Sequence, residues 1–376
     1  MTGCGGVGTS TAATYRSIDD CLGPARTRFF ADGYRRVRYL VRDVVVRPPA
    51  SAGPAGVTAV VTVEYPRDWS RKVEGVDLRP HLSTVDTLLL AVQLSEAYLA
   101  GALGLDEEQR RWARLRKVTL HAGSKPQEDL VGLVAVTIPV ACEPTGRGDQ
   151  VRTTFDSRIG AMRARCHVEH TVVGRAGQAG GPVRYDGLAG LLAPATERYY
   201  GEGFHHRGVE LTGVAADLAA CTASADVRVR HIRSEAASGA PPWPAGSGVD
   251  GAHQPTLTMV EAFVTGLQLA QVLMYPLDNV ARQESDTLWM LNTLIEAPPT
   301  PAPLDGPTRA HISIPGRRLL PLRGETWRNL DIVGTAGGLS LRSSIAHRLP
   351  PDPAAAAHGK GRPASRPVPE PSEVRT

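Results

Sequence analysis

A thirteen-residue phrase occurs twice in this chain, and the repetition constrains the fold more than any composition could. "LGPARTRFFADGY" (Leu22–Tyr34) and "LAPATERYYGEGF" (Leu192–Phe204) align without a gap at an offset of 170, with five identical positions and six close exchanges. A second pair, "PHLSTVDTLLLAVQL" (Pro80–Leu94) and "PTLTMVEAFVTGLQL" (Pro255–Leu269), aligns at an offset of 175. It matches Pro80 with Pro255, Ser83 with Thr258, Asp86 with Glu261 and Gln93-Leu94 with Gln268-Leu269, and at the same offset Asp156 falls on Asp331. Self-similarity over this span means a supersecondary unit written twice. The 376 residues therefore divide into a flexible N-terminal tail (1–14), two units of about 165 residues (15–178 and 184–349) and a disordered Pro/Ala/Arg-rich tail (350–376).

Each unit follows one plan. After the phrase come Val-rich runs of alternating polarity, "VRYLVRDVVV" and "GVTAVVTVEY" in the first unit, "VELTGVAADLAA" and "ADVRVRHIR" in the second. Such runs predict strands. In the second unit a Gly/Pro-rich loop at 238–255 follows. Each unit then has one long helix, and beyond it further strands: "LVGLVAVTIPV" and "MRARCHVEHTVV", then "RAHISI" and "LSLRSSIAHRL". The first helix carries Val85, Leu88, Leu89, Leu90, Val92, Leu94, Ala97 and Tyr98 with no wide polar face. A helix apolar nearly all round must be wrapped by protein. Strands, one wrapped helix and more strands is the plan of the hot-dog fold. The expected class is thus α+β, a double hot dog in which two antiparallel sheets each curl round a central helix and pack as a pseudo-dimer.

Composition removes several function classes. A net charge of +4, with arginines spread along the chain, carries no nucleic-acid signature. The five cysteines (Cys4, Cys21, Cys142, Cys166, Cys221) form no CxxC pair, which fits a reducing cytoplasm. No secretory h-region and no run of 18 apolar residues is visible, so neither export nor a membrane span is expected. "GCGGVG" near the N-terminus precedes any strand and has no dinucleotide context. In "CHVEH" (166–170), strand alternation puts Cys166 and His170 on one side and His167 and Glu169 on the other, so no metal site is expected.

The sharpest site candidates are Asp86 and Glu261, each six residues after a proline at the start of a wrapped helix. Two readings use the same atoms. Ser83-x-x-Asp86 and Thr258-x-x-Glu261 are capping boxes, in which the acid satisfies a free backbone N–H. A carboxylate held against apolar walls also has its pKa raised by desolvation, as a general acid or base requires. "PTLTMVEAF" is similar to the helix start of hot-dog dehydratases, but neither unit has a histidine about a dozen residues before the helix proline, which argues against simple dehydration. His81 stands next to the first helix and is a third catalytic candidate. His205-His206 occupy the place of Arg35-Arg36 in the first unit, and these cationic pairs are candidates for contacting a phosphate or carboxylate.

"SIDDCLGPARTRFFADGYRRV", "YPRDWSRK", "PHLSTVDTLLLAVQLSEAYL" and "RYYGEGF" together resemble the avirulence D (AvrD) protein family, from about Tyr15 to Pro350. The resemblance implies a role in making syringolide-type elicitors, acyl glycosides built from a β-ketoacyl chain and a five-carbon ketose such as xylulose. It also implies kinship in logic with the A-factor (AfsA-type) hot-dog synthases, which join a β-ketoacyl thioester to dihydroxyacetone phosphate. The expected partners are accordingly an acyl carrier protein or acyl-CoA thioester and a sugar or triose-phosphate acceptor. No cofactor is expected, and a homodimer is open to the chain. The expected activity is acyl transfer or condensation, with Asp86 or Glu261 as base and helix N-terminal N–H groups stabilising the oxyanion. Hydrolysis or hydration of the thioester and non-catalytic acyl binding are the alternatives.

Overall fold

The computed structural model describes residues 12–49, 51, 53–70, 79–172, 181–232, 246–280, 282, 285, 288–304, 306, 308–322 and 324–349. The expected C-terminal tail from Pro350, "GCGGVG" and residues 238–245 of the Gly/Pro loop lie outside the described residues.

The first half contains β1 (Ala12–Ser17), the short α1 (Ile18–Leu22), β2 (Arg38–Arg47), β3 (Gly56–Glu64), the long α2 (Thr84–Gly101) and the short α3 (Glu107–Arg111). Four strands follow: β4 (Arg114–His121), β5 (Leu133–Pro144), β6 (Gln150–Ile159) and β7 (Met162–Thr171). The second half holds β8 (Val183–Gly187), β9 (Arg207–Asp217), β10 (Thr222–His231) and α4 (Met259–Leu277). It closes with β11 (Trp289–Glu296), β12 (Thr308–Leu322), β13 (Glu325–Ala336) and β14 (Leu339–Arg348).

All fourteen strands join one antiparallel sheet, in the order β1-β9-β10-β12-β13-β14-β11-β4-β7-β6-β5-β3-β2-β8. From the centre outward the two sides read alike: β11-β14-β13-β12-β10-β9 and β4-β7-β6-β5-β3-β2. The seam is the β11–β4 pair, registered from Asn292↔His121 to Glu296↔Lys117. Strand alternation directs one face of each strand inward, as in β7, where Met162, Ala164, Cys166 and Val168 are buried and Arg163 and Arg165 exposed.

Each half of the sheet encloses one long helix, the hot-dog arrangement. Every residue of α2 from Thr84 to Leu99 is buried, and every residue of α4 from Met259 to Tyr275. By length and apolarity α4 would suffice to cross a membrane, yet here it is a core helix packed against strands on its own side of the sheet. Polar groups caught inside turn back on the backbone. The Thr87 hydroxyl donates to the Ser83 carbonyl at 2.9 Å and that of Ser95 to the Ala91 carbonyl at 2.8 Å.

The spatial halves differ from the sequence units at both leading strands. β1 begins at Ala12, inside the segment expected as a tail, and pairs with β9 of the second unit. β8, which opens the second unit, pairs with β2 of the first. Each unit thus lends its opening strand to the other, because β9 and β2 have free edges to be covered.

Candidate functional site

The repeated phrase braces one half to the other. Its first copy makes a tight turn in which the Arg28 carbonyl accepts the Gly33 N–H at 3.1 Å, and in the second copy Arg198 and Gly203 do the same at 3.0 Å. A Cβ on Gly33 would lie 2.1 Å from the Trp69 carbonyl oxygen, so glycine is required at that approach. The arginine side chains cross over. Buried Arg28 donates to Gln268 of α4 and pairs with Asp19, whereas buried Arg198 pairs at 3.3 Å with Glu96 of α2.

Both capping boxes form. Ser83 Oγ accepts the Asp86 N–H at 3.2 Å and Asp86 Oδ2 accepts the Ser83 N–H at 2.7 Å. Asp86 has no exposed surface and also accepts the hydroxyls of Tyr39 (2.7 Å) and Tyr65. Burial raises its pKa, and the Tyr65, Ser83 and Tyr39 hydrogen bonds partly offset that. At the other helix, Glu261 Oε2 accepts the Thr258 N–H at 2.9 Å, and Arg207 grips both carboxylate oxygens at 2.7 and 2.9 Å. Glu261 has no exposed surface either, so no oxygen is presented to a substrate. Of the two readings of Glu261, the capping box forms, and the carboxylate is in addition one half of a buried ion pair with Arg207.

Beside the two helix starts lie two clefts, related position by position at the offset of 175. One is lined by His81, Leu82, Ser83, Thr84, Ala122, Gly123, Pro126, Gln127 and Met162, with Trp289 and Met290 from the other half. The other is lined by Thr256, Leu257, Thr258, Met259, Ala297, Pro298, Pro301, Ala302 and Gly337, with Arg114 and Leu115 from the other half. The first encloses about 90 Å³ and the second about 30 Å³. The second is narrowed by Arg114, which stands where the first has Trp289 and donates to the Pro298 carbonyl at 2.7 Å and the Pro299 carbonyl at 2.5 Å. Asp250 also lines it, held by Tyr200 and the Leu115 N–H.

His81 lines the open cleft, with its ring edge-to-face on Trp69 at 6.3 Å. Burial lowers its pKa, with Glu128 opposing, so the imidazole is neutral near pH 7 and able to accept a proton. The capping box uses the Ser83 and Asp86 amides, which leaves the first-turn N–H groups of Thr84 and Val85 beyond its reach. The helix dipole favours negative charge there.

The two cationic pairs lie elsewhere. Arg35 pairs with Asp32 and donates to the His205 carbonyl, and Arg36 pairs with Asp68 at 2.7 Å. His205 packs edge-to-face on Phe204, and His206 stacks on His231. None of the four lines either of the two clefts beside the helix starts. The cations that do line the open cleft are Arg28, Lys125 and Arg282, with Gln271 and Tyr275 beside them. Sequence reading missed Lys125, Arg282, Gln271, Tyr275 and Arg28 as cleft residues. The available signal lay where the repeats disagree: His81 against Thr256, Trp289 against Arg114, Gln271 against Glu96. In "CHVEH", Cys166 and His170 are buried, and His170 meets Thr153 at 2.8 Å. Glu169 is held by Arg116 and Arg152.

The family model for the Pseudomonas avirulence D protein (AvrD) matches residues 13–350. No curated protein matches the chain significantly. Among solved structures, the chain is similar to a putative oleoyl thioesterase from Lactobacillus plantarum, at 10% identity and a TM-score of 0.36, over 84% of this chain and 97% of that one. It is similar to a tesB protein from Mycobacterium avium subspecies paratuberculosis at 10% identity and a TM-score of 0.35, over 78% and 93%. A third is the PpsC dehydratase domain from Mycobacterium tuberculosis, at 13% identity and a TM-score of 0.31, over 81% and 97%.

Proposed function

The chain belongs to the AvrD family, and on that premise we propose that it is a hot-dog acyltransferase acting on an acyl thioester at the cleft where α2 begins. The observation that carries the reading is the asymmetry of the two equivalent clefts. Both clefts hold a histidine whose pKa burial lowers, His81 in one and His253 in the other. Only the first places its imidazole in the helix-entry segment, where the second has Thr256, and it is the roomier one. The two halves read as copies of one hot-dog unit, of which the first copy keeps the working site and the second serves as its structural partner.

In this mechanism the thioester carbonyl oxygen sits at the Thr84 and Val85 amides, which stabilise the negative charge as it develops. An acceptor hydroxyl attacks the carbonyl carbon and gives its proton to the His81 imidazole. The new C–O bond forms, the C–S bond breaks, and His81 returns the proton to the departing thiolate. Asp86 is a positioning residue: it ties Ser83, Tyr39 and Tyr65 together and so fixes the first turn of α2. The acyl donor is a β-ketoacyl group on acyl carrier protein or coenzyme A, and the acceptor a small sugar or triose, as the family resemblance implies.

The test is incubation of the purified protein with a β-ketoacyl thioester, with and without xylulose or dihydroxyacetone phosphate, followed by mass spectrometry. An acceptor-dependent ester is expected, with the rate falling about 10²- to 10⁴-fold in His81→Ala. Free acid formed without acceptor would replace acyl transfer by hydrolysis. An absence of turnover with every acceptor would leave a binding protein.

A further inference from the structure

We propose that the open cleft contains a subsite for a phosphate monoester, built on Arg28 at the wall made by α4. This deepens the acyl-transfer reading by assigning a charge to one of the two reactants.

The comparison of Arg28 with its counterpart Arg198 carries the inference. Arg198 is fully engaged: its Nε donates to the Ala193 carbonyl at 3.0 Å, and its guanidinium pairs at 3.3 Å with buried Glu96, beside which Arg110 also lies. Arg28 is equally buried, at 2% exposure, but its Nε–H has no acceptor. Its other donors go to the neutral Gln268 and to Asp19, whose side chain is half exposed. Where α2 carries Glu96, α4 carries Gln271 at the offset of 175, and Gln271 lines the open cleft with Arg28. At the position where α2 supplies Arg198 with a buried carboxylate, α4 therefore has an amide, and Arg28 keeps only the half-exposed Asp19 as its ionic partner.

A buried guanidinium with a donor to spare is costly unless an anion completes it. The described residues lining this cleft include Lys125 and Arg282 besides Arg28, and no aspartate or glutamate. Positive charge with no carboxylate among the described lining residues, together with an N–H that has no acceptor, suits a compact dianion with several acceptor oxygens. Two reactants could bring such a group: a phosphorylated acceptor, or a coenzyme A donor through its ribose 3′-phosphate.

The experiment is calorimetric titration of the full-length protein with glycerol 3-phosphate and, separately, with coenzyme A, using glycerol and 3′-dephospho-coenzyme A as controls that lack the monoester. Saturable binding of one phosphate ester, at least about tenfold tighter than its control, is expected, and the ester that binds identifies the source. Gln271→Glu restores to this half the counter-ion that Glu96 supplies in the other, and should weaken phosphate binding about tenfold or more while leaving the melting temperature equal or higher. Arg28→Gln should abolish binding too, but it also removes a brace, so the Gln271→Glu result decides. Phosphate affinity unchanged in Gln271→Glu, or no binding of either ester by the native protein, overturns the subsite. These titrations contain no thioester. A protein that transfers acyl groups but ignores phosphate refutes the subsite alone, and one that binds phosphate without turnover refutes the acyl-transfer reading alone.

Discussion

Glu261 and Arg207 show how a carboxylate that looks catalytic in sequence can be held in a buried ion pair in space. The capping-box spacing of Thr258-x-x-Glu261 was legible, but the partner is 54 residues away and was not. With exposures of 0% and 1%, the pair survives only because each charge satisfies the other. Glu261→Gln leaves Arg207 buried against a neutral amide. The expected cost is about 3–5 kcal/mol in urea denaturation, far above that of a surface change. A second residue-scale expectation concerns acid. Burial, reinforced by His206, lowers His205 from its ordinary 6.5 to about 4, and burial shifts His81, His170 and His253 downward as well. The unfolded chain then takes up protons before the folded one. Stability held above pH 6.5 is therefore lost as the pH falls toward 4. His205→Gln should flatten that limb of the stability profile, and an unchanged limb would assign it to the other histidines.

Secondary elements were readable where one signal dominated. Both long helices, with their N-caps at Ser83 and Thr258, follow from apolar residues on every face and from the box spacing. β2, β3, β9 and β10 follow from alternating valines. β6, "QVRTTFDSRI", and β13, "ETWRNLDIVGTA", carry enough polar residues that pairing on both edges, rather than apolar pattern, makes them strands. β1 was placed in a tail because six residues of modest polarity give no local sign of their partner. Its role is testable. Deleting the chain through Ser17 should speed amide exchange in β9, from Thr212 to Asp217, and leave β2 and β3 protected. Loss of protection in β2 instead would contradict the exchange of leading strands.

At the scale of the whole molecule, the two units are interlocked more deeply than two copies laid side by side. Leading strands are exchanged, Arg28 and Arg198 each brace the opposite helix, and each cleft takes residues from both halves. Unfolding should therefore be a single cooperative event, with the fluorescence of Trp69 and Trp112 in the first half and Trp289 and Trp327 in the second changing together with the circular dichroism signal. Two separated transitions would show that the halves stand alone. The sequence by itself determined the repeated phrase, the two wrapped helices, their caps and, through its motifs, the family, because these are written in local spacing and local identity. Which carboxylates are locked away, which cleft is open and which buried arginine keeps an Nε–H without an acceptor were decided only by tertiary structure. Those properties depend on pairings across 50 to 240 residues, such as Arg207 with Glu261 and Arg28 with Gln268, and no local pattern encodes the distance between such partners.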